Sequence, residues 1–328
     1  MAEEKKSGWR WGFNRWLVLG LIVLSFFTAR AYPPVQPHIQ LPAENVTGPL
    51  FNLLGQPFYL TNTLIATILV DIFLLLVGFA IYRGSKKSGG QALKGISGAV
   101  EALLDVLYGL TESTAGKWTK SIFPFFATIT LVVLVANWME LIPGVDSIGV
   151  FDEHHIHNIE ECVLEHHEIL GMEVVALAGG ATECSSGIIP FVRVASTDLN
   201  FTAAIALFAV MGIQWVGLKA QGGAYLGKFW NVKTLFTVPM FGVIDFGVGI
   251  IETISEFIKV LSFAFRLFGN IFAGSVMLFV IGSLVPIFAQ SGFLLLEFFV
   301  GMVQAIVFGM LTMIFMSQAT ISHHGDEH

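Results

Sequence analysis

The stretch ETISEFIKVLSFAFRLFGNIFAGS, residues 252–275, places Glu252, Glu256, Lys259, Ser262, Arg266 and Asn270 three or four residues apart in an otherwise apolar run. On a helix that spacing gathers them on one face. A guanidinium at membrane depth costs roughly 2.5–3.5 kcal/mol on insertion scales, and it keeps its proton, so it normally faces a partner or water. Snorkelling to an interface is the ordinary fate of a lone cationic side chain. Arg266, however, sits deep between Lys259 and Pro286, with Asn270 one turn away. Gly269, Ala273 and Gly274 remove the bulk that would hold a neighbouring helix at a distance. These neighbours favour a fixed cation turned toward another helix.

Further along, Glu297, Gly301 and Gln304 are spaced four and three apart and form a second polar face in an apolar run. If the two segments are antiparallel helices, Ser275 and Glu297 lie on the outer side. Arg266 and Gln304 then fall near mid-membrane, and Ser262, Glu256 and Glu252 on the inner side. Two polar half-paths would meet at an arginine. Such a device could admit a proton halfway, pass it to a mobile carboxylate and release it on the other side. The fixed cation would repel a proton on the direct route, while stabilising an ionised carboxylate that passes it. Each charge moved is worth about 2.3 kcal/mol per 100 mV.

These groups need elements that hold them inside a bilayer, and the composition supplies them. The chain is 55% apolar and only 12% charged, too unbalanced for an ordinary soluble domain. Several nearly charge-free stretches reach the length of about 20 residues that a helix needs to cross roughly 30 Å of hydrocarbon. The runs are too long and continuous for barrel strands. The expected fold is therefore an all-α integral membrane protein. It has five or six transmembrane helices, two of them long and tilted and forming a hairpin, plus an amphipathic surface helix.

Residues 1–31 carry a basic flank, a short apolar core and Ala29-Arg30-Ala31, the pattern of a signal peptide or an uncleaved signal anchor. The remainder, 32–328, reads as one membrane domain. A first span at about 59–82 is followed by Arg83, Lys86 and Lys87, which mark its cytoplasmic end. Residues 91–120 mix apolar positions with Glu101, Asp105, Glu112 and Lys117, as a surface helix does. Spans at about 121–142 and 199–218 follow, the second leading to Lys219, Lys228 and Lys233. Between them, the extracytoplasmic loop at about 146–192 is rich in acids and histidines. It has no Lys or Arg from Asp146 to Pro190. The apolar stretch 236–288 exceeds one perpendicular helix and implies a long or strongly tilted one. A turn over 286–292 should lead to a last helix at 293–317, with the C-terminus in the cytoplasm.

The histidines His154, His155, His157, His166 and His167 could hold a metal, but a solvated acidic loop is the better account and no metal is expected. Cys162 and Cys184 are too few and too far apart for a zinc site. They could form one disulfide outside the cytoplasm. No cofactor and no nucleic-acid partner is implied.

The motif SFAFRLFGNIFAG at 262–274 resembles the signature around the essential arginine of subunit a of F-type (rotary) ATP synthases. VQAIVFGMLT at 303–312, ANWMELIPG at 136–144, STDLNFT at 196–202 and LTNTLIATILV at 60–70 support the resemblance, which extends from about residue 45 to the C-terminus. It implies a stator subunit in a bacterial-type inner membrane, beside a rotating ring of small proteolipids. Two offset half-channels would couple ion flow to rotation and ATP synthesis. Peripheral-stalk subunit b and the remainder of the synthase would be the other partners. Arg266 would face the ring carboxylates; Asn270, Gln304 and Glu252 match polar channel positions, and Glu297 falls where members carry an ionisable residue. Glu140 matches an acid of some members only, and Glu256 and Lys259 are accessory candidates. Some relatives carry Glu or His nine residues after the arginine. This chain has Ser275 there, which leaves Glu297 as the titrating group of the outer path.

Two other classes fit less well. A secondary transporter often shows two related halves and interrupted helices, whereas this sequence has no internal repeat and too few helices. A membrane-embedded enzyme using the loop histidines as metal ligands is the other, but no His-Glu-x-x-His helix or nucleophile elbow is present. No phosphate-cradling glycine loop occurs, so the chain is not expected to be an ATPase itself.

Overall fold

A helix satisfies its own backbone hydrogen bonds, so long apolar runs that must leave water become helices before anything else. The computed structural model describes residues 14–31, 42–46, 49, 51–53, 55–88, 95–142, 145, 148–151, 164–169, 172–177, 188–227, 229, 239–284 and 288–321. Its helices are α1 (Asn14–Ala31), α2 (Asn62–Ser88), α3 (Ile96–Ala115), α4 (Thr119–Trp138), α5 (Leu199–Gln221), the single turn α6 (Ala224–Gly227), α7 (Pro239–Leu284) and α8 (Phe288–Ala319). Five stretches of the described residues are long and apolar enough to cross a membrane: Asn62–Lys86, Ser97–Leu141, Leu199–Gln221, Phe246–Gly282 and Ala289–Ala319. The protein is a multi-pass, helical integral membrane protein.

The joints between helices follow local chemistry. At Gly116, φ is 50° and the amide donates back to the Glu112 carbonyl, which ends α3 and breaks the axis before α4 begins. The expected amphipathic element is thus a helix of its own, joined to a spanning one through a 3-10 turn, Gly116–Trp118. Asp198 caps α5 by accepting from the Asn200 amide at 2.8 Å. The same carboxylate accepts from Thr63 Oγ1 at 2.8 Å, tying the start of α2 to the start of α5. At the other end of α5, Gly222 adopts φ 63° and donates to the Leu218 carbonyl at 2.8 Å.

The core lies among α4, α5, α7 and α8. It holds Ile122, Phe126, Ile129 and Val133 of α4, Ala206, Ala209, Ile213 and Val216 of α5, Phe263, Leu267 and Ile271 of α7, and Phe308, Met313 and Met316 of α8. Gly309 lies directly beneath Thr130 and Phe126, so α4 and α8 approach closely through a residue without a side chain. By contrast, α2 leaves Ile68, Leu69, Ile72, Phe73, Leu75, Leu76 and Phe79 exposed, a surface suited to lipid rather than water.

Two details depart from the sequence reading. The last helix starts at Phe288, so Gly292 lies within it and is not part of a turn; glycine is well tolerated inside membrane helices. The acidic segment between α4 and α5 also contains paired strands, which the sequence reading did not expect. Among its described residues, β3 (Gly149–Phe151) pairs with β6 (Ile188–Pro190), and β4 (Leu164–Ile169) pairs with β5 (Met172–Leu177), both antiparallel. Another ribbon joins β1 (Phe51–Leu53) to β2 (Gln56–Phe58). Cys162, Cys184, His154, His155 and His157 lie outside the described residues, and so does the disulfide expectation. Among the described residues no cluster of metal-ligating side chains forms.

Candidate functional site

Helix α7 is 46 residues long, about 69 Å at 1.5 Å per residue. It runs antiparallel to α8, and the register between them can be read from contacts. A Cβ on Gly282 would meet Gln290, and one on Gly274 would fall within the Glu297 carboxylate. Phe263 packs on Phe308 at 5.0 Å between ring centroids, and Lys259 Nζ sits 4.9 Å from the Phe315 ring centre. One residue up α7 is therefore matched by one residue down α8. Arg266 falls opposite Ala305, beside Gln304, as the antiparallel arrangement predicts.

The polar stripe of α7 is divided by packing. Phe263, Ala264, Leu267 and Ile271 take the core side, while Ser262, Arg266, Gly269 and Asn270 are exposed. Nothing stands within 4 Å of a Cβ on Gly269, so the face around the arginine is open. Glu256, only 9% exposed, turns instead into the protein. Its Oε1 accepts from Lys259 Nζ at 2.7 Å, and its Oε2 is buried with no hydrogen-bond partner among the described residues. Glu252 is half-buried nearby. Ser275 is nine residues from Arg266, roughly two and a half turns, which puts it on the opposite flank of the helix.

Two buried polar groups therefore flank the arginine. On one side Glu297 is 6% exposed, with its Oε1 unpartnered among the described residues and its carboxylate laid over Gly274. Next to it on α8, the Gly301 carbonyl accepts from Asn137 Nδ2 of α4 at 3.0 Å, and Trp138 Nε1 donates to the Phe298 carbonyl at 3.2 Å. Asn137 Oδ1 and Ser196 Oγ are likewise buried without partners. Glu140, 8% exposed, sits one turn beyond Asn137 in the 3-10 turn Met139–Leu141.

The second group surrounds Glu256 and contains residues the sequence reading missed. Gln214 of α5 has a buried Nε2 with no partner among the described residues, and its Oε1 accepts from the Tyr225 hydroxyl at 2.8 Å. Burial first, and then the charges of Glu256 and Glu252, push the Tyr225 phenol up to about 12. The signal for Gln214 and Asn137 was available: each is an amide isolated in an apolar run. Nothing local marked Tyr225.

Buried polar atoms without protein partners cost free energy unless water reaches them, so the two groups are candidate wet pockets within a dry bundle. Along α7 they are separated from Arg266 by ten residues, to Glu256, and by eight, to Gly274, about 15 Å and 12 Å of helix rise.

A family model described as ATP synthase A chain matches residues 63–317. ATP synthase subunit a of Mycobacterium ulcerans (strain Agy99) is 25% identical over 218 residues, covering 66% of this chain and 68% of that protein. The sodium ion specific ATP synthase subunit a of Propionigenium modestum is 26% identical over 228 residues, covering 67% of this chain and 60% of its own length. A third relative, ATP synthase subunit a of Legionella pneumophila subsp. pneumophila, is 25% identical over 171 residues, 52% of this chain and 49% of that one.

Proposed function

The chain belongs to the ATP synthase A chain family, and from that premise we propose that it is the non-catalytic stator subunit that carries protons to and from a rotating proteolipid ring. The observation that carries this reading is the open face at Arg266, set between two separate buried polar groups rather than within one continuous channel. An ionised ring carboxylate passing the arginine is stabilised by its charge and gives up its proton more readily. A proton entering directly is repelled. Transfer then has to go by way of the ring.

In this reading Glu297 is the exchanging group of the outer half-path, with Asn137, Glu140, Ser196 and Ser275 around or near it. The inner half-path runs past Ser262, Glu256 and Glu252, with Lys259 as the partner of Glu256. Asn270 and Gln304 bracket Arg266 at mid-depth. The basic residues Arg83 and Lys86 near the end of α2, and Lys219 near the end of α5, support a cytoplasmic location for those ends and for the C-terminus, in a bacterial-type inner membrane. ATP chemistry belongs to other subunits, and the peripheral-stalk subunit b completes the stator.

Arg266→Ala in membrane vesicles holding the whole complex is the decisive test. ATP-driven acidification should disappear in complexes that still assemble, and passive leak should rise. Unchanged pumping would make Arg266 structural and the half-path account wrong.

A further inference from the structure

Tyr225 and Gln214 belong to the buried group around Glu256, yet nothing in the half-path account uses them. The chain leaves α5, reverses at Gly222, where φ is 63°, and folds α6 back onto the helix it came from. A Cβ on Gly217 would lie 2.6 Å from the Tyr225 ring, so the missing side chain is what lets the ring lie against α5. Tyr225 is 3% exposed, and Phe229 closes its other side edge-on at 5.7 Å. A loop tyrosine is thereby held as firmly as a core residue.

Its hydroxyl has a defined task. With its pKa displaced to about 12, the phenol keeps its proton and donates to Gln214 Oε1 at 2.8 Å. That bond fixes the amide plane and leaves Gln214 Nε2, a buried donor, without a partner among the described residues. On α7, which packs against α5, Glu256 Oε2 is a buried acceptor without one among them, its Oε1 being taken by Lys259. The charge of Glu256 reaches the Tyr225 phenol, so the unused donor and the unused acceptor belong to one region, where a bridging water can serve both.

We propose that Tyr225 is a positioning residue of the inner half-path. Seated on Gly217, it clamps Gln214 Oε1 and holds the Gln214 amide N–H groups open to the water that passes Glu256. The inference rests on the half-path reading. Without the clamp the amide can turn, pair with Glu256 and close the gap.

The test measures ATP-driven pumping per assembled complex in inverted vesicles for Tyr225→Phe, Gln214→Leu and the double variant. Each single change should slow pumping roughly tenfold, the ratio equivalent to about 1.4 kcal/mol. The double variant should be no slower than Gln214→Leu, because the tyrosine acts only through the glutamine. Normal pumping by Tyr225→Phe overturns the proposal, and so do losses that simply multiply. Should Tyr225→Phe fail to assemble, Gln214→Leu decides alone, and unchanged pumping there overturns it. Arg266→Ala assayed in parallel separates the two levels. If it abolishes pumping while Tyr225→Phe does not slow it, only the positioning role falls; if Arg266→Ala pumps normally, both readings fall.

Discussion

The two buried polar groups beside Arg266 hold their most buried acids, Glu297 and Glu256, in opposite ways. Glu256 is an ion pair: Lys259 donates to it at 2.7 Å and itself rests on the Phe315 ring. Glu297 has no such cation among the described residues, and its carboxylate lies over the bare backbone of Gly274. In the proposed half-paths Glu297, free of such a partner, is the exchanging acid, and Glu256, engaged by Lys259, lines a path that others use.

Arg266→Ala should have the largest effect, because it removes the element both groups share. Next, Glu297→Gln should reduce pumping about 100-fold, the lower range for loss of a proton-transfer group, measured as initial acidification per complex. Gly274→Ala should be milder, roughly tenfold, since the new methyl occupies the place of the Glu297 carboxylate and forces it aside; the same assay reads it. Glu256→Gln should change pumping by no more than about threefold, because in the proposed path Glu256 is not itself the proton-exchanging group. Lys259→Met should act on stability instead, costing about 3–5 kcal/mol by leaving a buried charge uncompensated. It should lower the amount of assembled complex, and the double change Glu256→Gln with Lys259→Met should restore it. If Glu256→Gln were as damaging as Glu297→Gln, the distinction between the two acids would collapse.

Much of this architecture was legible in advance because hydrophobic length and helical spacing are local quantities. The spans, the long helix, the hairpin and the pairing of Arg266 with Gln304 in depth all follow from them. Spacing failed where tertiary packing chose between neighbouring angles. A polar stripe several residues wide reads as one face, yet the core took its Glu256 edge and left its Arg266 edge open. Ser275 was grouped with Glu297 by depth alone, although it sits half a turn away from the arginine's side. Gln214 and Tyr225 escaped because their partnership depends on a reversal at Gly222 and a seat at Gly217, long-range facts that no periodicity encodes. The paired strands within the outer loop escaped for the same reason.

The length of α7 has a mechanical consequence. Its membrane candidate Phe246–Gly282 is 37 residues, about 55 Å of helix against a layer of roughly 30 Å, so it is long enough to span with a lean. A lean converts part of the distance along it between Glu256 and Gly274 into a displacement in the membrane plane. In the proposed assembly a proton enters and leaves at different angular positions around the ring. The sense of the lean then fixes which way round is the short arc and which the long one. The direction of turning would thus be a matter of handedness, set by how this helix packs against its neighbours.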